Sequence, residues 1–231
     1  MRTIRTISIW TVAPGYPVAG KADLGGLKQS HVGQSLDTLA QQHPEIARAL
    51  LKTGTPLTRQ NVRGFPTLLS AIVGQQISTK AAAAIRGRLW ALMDDAPCAD
   101  ALLTLSWQSL RDAGLSARKI EYAQGLATAI SCGNLPLDQL ETMDDATATK
   151  ALTQLKGFGP WTAKIYLMFS EGRPDIYPPA DLALEKGLQI LLGLPEKPTT
   201  KAAEILAEKY SPHRSALCLL LWALYGAASL D

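Results

Sequence analysis

The 231-residue chain is 47% hydrophobic and 19% charged, a balance that excludes an extended disordered polypeptide and supplies apolar material for one sizeable core or two small lobes. Its net charge of +3 permits a polyanionic partner without requiring one, so the placement of charges has to carry that argument. The three cysteines, Cys98, Cys132 and Cys218, lie far apart with no CxxC pair, which excludes a cysteine-held zinc or iron–sulfur centre and points to inert thiols in a reducing compartment.

Residues 1–33 carry Pro14 and Pro17 among weakly patterned residues and read as an extension with a short strand near Ile7. The apolar run from Ile7 to Ala13 is too short and too rich in hydroxyls for a secretory signal. From Gln34 onward the pattern is helical almost throughout. Phe65-Pro66 opens a helix with proline in its first turn, and Leu68, Leu69, Ile72 and Val73 recur at helical spacing. A second helix runs from Ser78 through an alanine block to Met93. Ser106 and Ser116 stand at N-cap positions, with Gly114 as a stop between them, which gives a short helix and then one over Ala117–Ile130 that Gly133 closes. Asp144 and Asp145 begin a helix ending at Leu155, and Pro160 opens another to about Ser170. Prolines at 174, 178 and 179 force a loop that delivers Asp181 to a helix over Leu182–Leu192. Helices over Lys201–Tyr210 and Pro212–Ala227 complete the array. The apolar stretch from Ala216 to Ala228 is too short to span a bilayer. The fold class expected is all-α.

Chemistry concentrates at five places. In Leu155-Lys156-Gly157-Phe158-Gly159-Pro160-Trp161 two glycines one residue apart precede a helix start. Both can take positive φ, and neither blocks a phosphate from the backbone N–H groups of the following helix; an ordinary helix C-cap needs only one of them. Asp181 suits an N-cap, and a carboxylate held ionised by a helix dipole also suits a developing oxocarbenium charge. Trp161 and Trp222 are core aromatics or the walls of a pocket for a flat, cationic base. Gly74-Gln75-Gln76-Ile77-Ser78 is a polar kink between helices or the source of a side chain that fills the gap left by a flipped nucleotide. Gly114-Leu115-Ser116-Ala117-Arg118-Lys119 gives a capped helix with a basic first turn, a solvated face or a phosphate contact.

Together with Pro179-Ala180-Asp181-Leu182 and the run from His213-Arg214-Ser215 to Trp222, these segments resemble the helix-hairpin-helix (HhH-GPD) superfamily of DNA base-excision glycosylases, most closely its DNA-3-methyladenine glycosylase II, alkylation-repair branch. The resemblance covers residues 34–231 and implies two helical subdomains with a cleft between them. It implies a monofunctional hydrolase that flips alkylated purines of the 3-methyladenine type and leaves an abasic site, with Asp181 as the essential aspartate and Trp161 and Trp222 in the base pocket. Bifunctional members place a lysine where this chain has Trp161, and an indole cannot form a Schiff base, so lyase activity is not expected. Gln76 falls at the wedge position, Gln75, Ser78, Lys119, Gly157 and Gly159 at the DNA surface, and the carbonyls of Thr153, Leu155 and Phe158 at a site for a structural monovalent or divalent cation. No cofactor is required and no iron–sulfur cluster is expected. Ala180 stands where other members carry a second acid, and the large N-terminal domain of some bacterial members is not expected. The implied partner is double-stranded DNA containing damaged bases, without a membrane, for a monomeric cytoplasmic protein that is nucleoid-associated in a bacterium. A non-catalytic helix-hairpin-helix DNA-binding module and a glycosylase for mismatched or deaminated bases are the alternatives.

Overall fold

The structure is a computed structural model and describes residues 25–228. The strand expected near Ile7 lies outside the described residues. Two helices come first, α1 (Gln29–Gln42) and α2 (Pro44–Thr53). They are followed by α3 (Phe65–Gly74), α4 (Thr79–Ala91), α5 (Ala99–Thr104), α6 (Trp107–Asp112) and α7 (Ala117–Ser131). A 3-10 turn at Leu137–Thr142 leads into α8 (Asp145–Thr153) and α9 (Pro160–Phe169), and α10 (Leu182–Leu192), α11 (Thr200–Glu208) and α12 (Arg214–Ala228) close the chain. No β-strand occurs among the described residues, so the fold is all-α as expected.

The helix starts follow from side chains that satisfy otherwise orphaned N–H groups. Ser78, Ser106, Ser116 and Asp144 accept from the N–H of Ala81, Ser109, Lys119 and Thr147, each bond contributing about 1 kcal/mol. Several ends differ from the pattern. α1 begins at Gln29 and buries Val32, so the boundary drawn at Gln34 falls inside a helix. The helix expected to reach Met93 stops at Ala91, and Asp94 and Asp95 turn left-handed at φ of 52° and 55°. α8 stops at Thr153, two residues short of Leu155. α5 escaped the pattern because its cap is the thiol of Cys98, a weak acceptor, 3.4 Å from the Ala101 nitrogen.

Packing divides the chain into two compact units, one built from Gly26–Gln60 and the chain from Leu167 onward, the other containing Asn61–Tyr166. In the first, α10 packs on α12, and α2 adds Ile46 and Ala49. Leu184 and Leu188 of α10 and Leu217, Leu220 and Leu221 of α12 are buried, and truncating any of them to alanine is expected to cost about 2–5 kcal/mol. Gly187 sets the approach of these helices, because a Cβ there would lie 2.6 Å from the Leu221 carbonyl oxygen. In the second unit α3 buries Leu68, Leu69 and Ile72 and packs on α4 and α7, while α5 packs on α7.

Candidate functional site

The loop between α9 and α10 is fastened before it reaches Asp181. Arg214 grips Asp175 in a two-pronged pair, Nε to Oδ1 at 2.8 Å and Nη2 to Oδ2 at 2.7 Å, and Ser211 Oγ donates to Oδ2 at 2.7 Å. Burial opposes ionisation of Asp175, but these hydrogen bonds and the Arg214 charge outweigh it and hold the carboxyl below its usual range. Ser215 Oγ donates to the Arg173 carbonyl at 2.6 Å and accepts the Ile176 N–H at 3.0 Å. Pro178 and Pro179 follow, and Ala180 then takes φ of 54°, a left-handed conformation that costs a non-glycine residue about 1–2 kcal/mol.

That turn places Asp181 at the N-cap of α10. Its Oδ1 accepts the N–H groups of Ala183 at 2.9 Å and Leu184 at 3.0 Å, and the indole N–H of Trp222 donates to the same oxygen at 3.4 Å. The Trp222 ring in turn stacks on Phe169, with centroids 5.9 Å apart and planes at 23°. Phe169 was not visible as a site residue in the sequence, where it is one apolar residue among many at the end of α9. One turn along α10, Glu185 pairs with Lys197 and accepts from Thr200 Oγ1 at 2.7 Å. Burial pushes Glu185 up, yet the bonds from Lys197 and Thr200 prevail and keep it below the usual range, so this second carboxylate is committed to holding the loop after α10. Burial, with negative charge from neighbours including Asp181, pushes the phenol of Tyr177 well above its usual range.

In the other unit the glycine turn joins α8 to α9, and its two glycines are not equivalent. Gly157 has φ of 89°, and a Cβ there would lie 2.3 Å from Cδ2 of Tyr122. Gly159 lies outside the left-handed region, so only one of the two glycines uses that freedom, and the space where its Cβ would stand is open. The Leu155 carbonyl accepts the Phe158 N–H at 3.1 Å. Among the described residues no group of three or more His, Cys, Asp or Glu side chains could hold a metal ion.

The same unit contains a cavity of about 640 Å³ whose walls include Gln75, Gln76, Lys119, Gly157 and Trp161, together with Ser116, Arg118 and Tyr122. Five of the residues singled out in the sequence therefore share one concave surface. Ser78 and Gly159 do not line it. Ser78 Oγ instead caps α4, accepting the Ala81 N–H at 3.2 Å. Two of the polar side chains have internal partners: Gln75 Nε2 donates to the Gly157 carbonyl at 2.8 Å, and Lys119 Nζ donates to the Val73 carbonyl at 2.7 Å. Partial burial lowers the pKa of Lys119. Gln76 is exposed and sits at φ of 57°. Tyr122 carried no signal in the sequence, since only the fold shows that its ring closes on Gly157.

A family model described as HhH-GPD superfamily base excision DNA repair protein matches residues 69–213. The chain is similar to DNA-3-methyladenine glycosylase 1 of Schizosaccharomyces pombe, with 32% identity over 161 residues that span 68% of this chain and 71% of that protein. Among solved structures, a DNA-3-methyladenine glycosidase from Bacillus halodurans superposes with a TM-score of 0.80 at 32% identity, covering 85% of this chain and 91% of that one. A 3-methyladenine DNA glycosylase from S. pombe in complex with abasic DNA gives a TM-score of 0.71 at 28% identity, over 82% of this chain and 95% of its own.

Proposed function

Because this chain belongs to the HhH-GPD superfamily of base-excision DNA repair proteins, we propose that it is a monofunctional DNA glycosylase that extrudes alkylated purines of the 3-methyladenine type from double-stranded DNA and hydrolyses the N-glycosidic bond. The observation that carries this reading is the Asp181 carboxylate, oriented by two backbone N–H groups of α10 and the indole N–H of Trp222.

An alkylated purine bears positive charge, so it departs as a neutral base with the electron pair of the glycosidic bond, and the sugar acquires oxocarbenium character. Asp181 faces that charge with its own and orients a water onto the anomeric carbon; the water oxygen forms the new bond and its proton passes to the carboxylate or to solvent. Trp222, whose indole N–H meets Asp181, supplies an electron-rich face for the extruded cation. Trp161 in place of an amine leaves no nucleophile for strand cleavage at that position, which supports hydrolysis without lyase chemistry. The glycine turn, with its open face at Gly159, serves as the phosphate grip, and Gln76 as the side chain that occupies the vacated stack. Neutral carbonyl oxygens such as those of Thr153, Leu155 and Phe158 suit a hard cation, which would stiffen the turn without joining the chemistry. No helix among the described residues is long and apolar enough to cross a membrane, and a cytoplasmic site of action is part of the same proposal.

Duplexes containing alkylated, deaminated or undamaged bases, incubated with the protein and assayed for free base with borohydride present, test the reading. Release is expected from the alkylated duplex alone, with no protein–DNA adduct trapped. Release of deaminated bases moves the substrate class, a trapped adduct refutes the monofunctional assignment, and release from none of them leaves a binding module.

A further inference from the structure

Gln76 is an exposed, non-glycine residue held at φ of 57°, a conformation that persists only where the surroundings determine it. Two hydrogen bonds tie down the residues just before it. The Lys119 ammonium binds the Val73 carbonyl at 2.7 Å, in the last turn of α3, where carbonyls lack helical partners and the helix dipole favours a cation. The Gln75 side-chain amide binds the Gly157 carbonyl at 2.8 Å, in the turn between α8 and α9. Gly157 is in turn closed over by the ring of Tyr122, which lies one helical turn beyond Lys119 on the same face of α7. One face of α7 thus registers both the loop that presents Gln76 and the turn that contains Gly157.

We infer that Gln75 and Lys119 are positioning residues rather than DNA contacts, and that they brace the Gln76 loop against the glycine turn so that gripping the backbone and filling the vacated stack occur in one fixed geometry. This rests on the reading of Gln76 as the wedge and of the turn as the phosphate grip. The sequence pointed to DNA contact because a glutamine pair and a basic first turn look like surface chemistry; the hydrogen bonds turn both side chains inward. The brace matters while a base is being extruded from a stacked duplex, and the hydrolytic step that follows does not use it.

The test is a double-mutant cycle read by single-turnover fluorescence of 2-aminopurine placed beside the lesion in a duplex. Gln75→Glu keeps the shape and removes the donor to Gly157, Lys119→Met keeps the stem and removes the donor to Val73, and Gln76→Ala removes the wedge. Each single variant is expected to slow extrusion about tenfold, and either one combined with Gln76→Ala is expected to be no slower than Gln76→Ala alone. The salt slope of duplex binding should be unchanged in Lys119→Met, whereas loss of a phosphate contact would lower it by about one. Wild-type extrusion in both brace variants, rate losses that multiply with Gln76→Ala, or a lowered salt slope overturns the inference while leaving the wedge in place. Extrusion at the wild-type rate in Gln76→Ala alone overturns the wedge reading and the brace with it.

Discussion

At Asp181 a single oxygen gathers three donors, and the consequence is a carboxylate whose plane is fixed before any substrate arrives. The two helix N–H bonds are short and come with the N-cap; the indole bond is long, at 3.4 Å, and depends on Trp222 being held by its stack on Phe169. Replacing Trp222 by phenylalanine keeps an aromatic ring against Phe169 and removes the donor. A net loss of about 1 kcal/mol is appropriate for such a bond, so kcat should fall about fivefold with KM little changed in steady-state base release. An unaltered kcat would mean that the indole bond does not help orient the acid. Asp181 was legible in the sequence both as a cap and as a catalyst, and the structure shows the capping directly. Ala180 was not legible, because nothing in the residue type announces a left-handed alanine before the aspartate; the pinned Asp175–Arg214 pair and the prolines upstream hold a loop that a side chain alone does not encode.

Elements were readable where their ends are written in side chains and less so where a distant residue decides. The serine and aspartate caps of α4, α6, α7 and α8 fell where the pattern put them. The two glycines of the turn looked alike in sequence, yet only Gly157 is required by its backbone and by the Tyr122 ring. Gly187 is the contact point of α10 with α12, a role that only the packing of the two helices shows. Another tertiary tie joins α2 to the segment after α11: Glu45 Oε1 accepts from Lys209 Nζ and Tyr210 Oη, both at 2.8 Å. Burial opposes ionisation of Glu45, but the bonds from Lys209 and Tyr210 outweigh it and carry its pKa from 4.5 down to about 2. A carboxyl depressed on folding stabilises the native state above the unfolded pKa and loses that contribution as pH falls toward the folded one. Urea denaturation should therefore show stability declining between about pH 4.5 and pH 2, with Glu45→Gln flattening that part of the profile. The same slope in both proteins would remove Glu45 from the account of acid stability.

Across the whole molecule, the all-α class followed from repeated caps and helical spacing, which are local. The division of the chain did not, because periodicity shows which face of a helix is apolar and not which helix will cover it; hence α1 and α2 pack with α10 and α12, more than a hundred residues later in the chain. Composition was similarly silent on partner, since a net charge of +3 is compatible with many proteins. What carried the functional reading was the order of a few motifs, now attached to a carboxylate of defined geometry and to a cavity that gathers the glutamine pair, Lys119, Gly157 and Trp161. The decisive measurement is the rate at which free methylated purine is released from an alkylated duplex by the wild-type protein and by Asp181→Asn, with binding to an abasic duplex recorded in parallel. The expected result is release about 10²–10³-fold slower in Asp181→Asn with abasic-duplex binding retained; release at a near-wild-type rate would contradict a hydrolytic role for this aspartate.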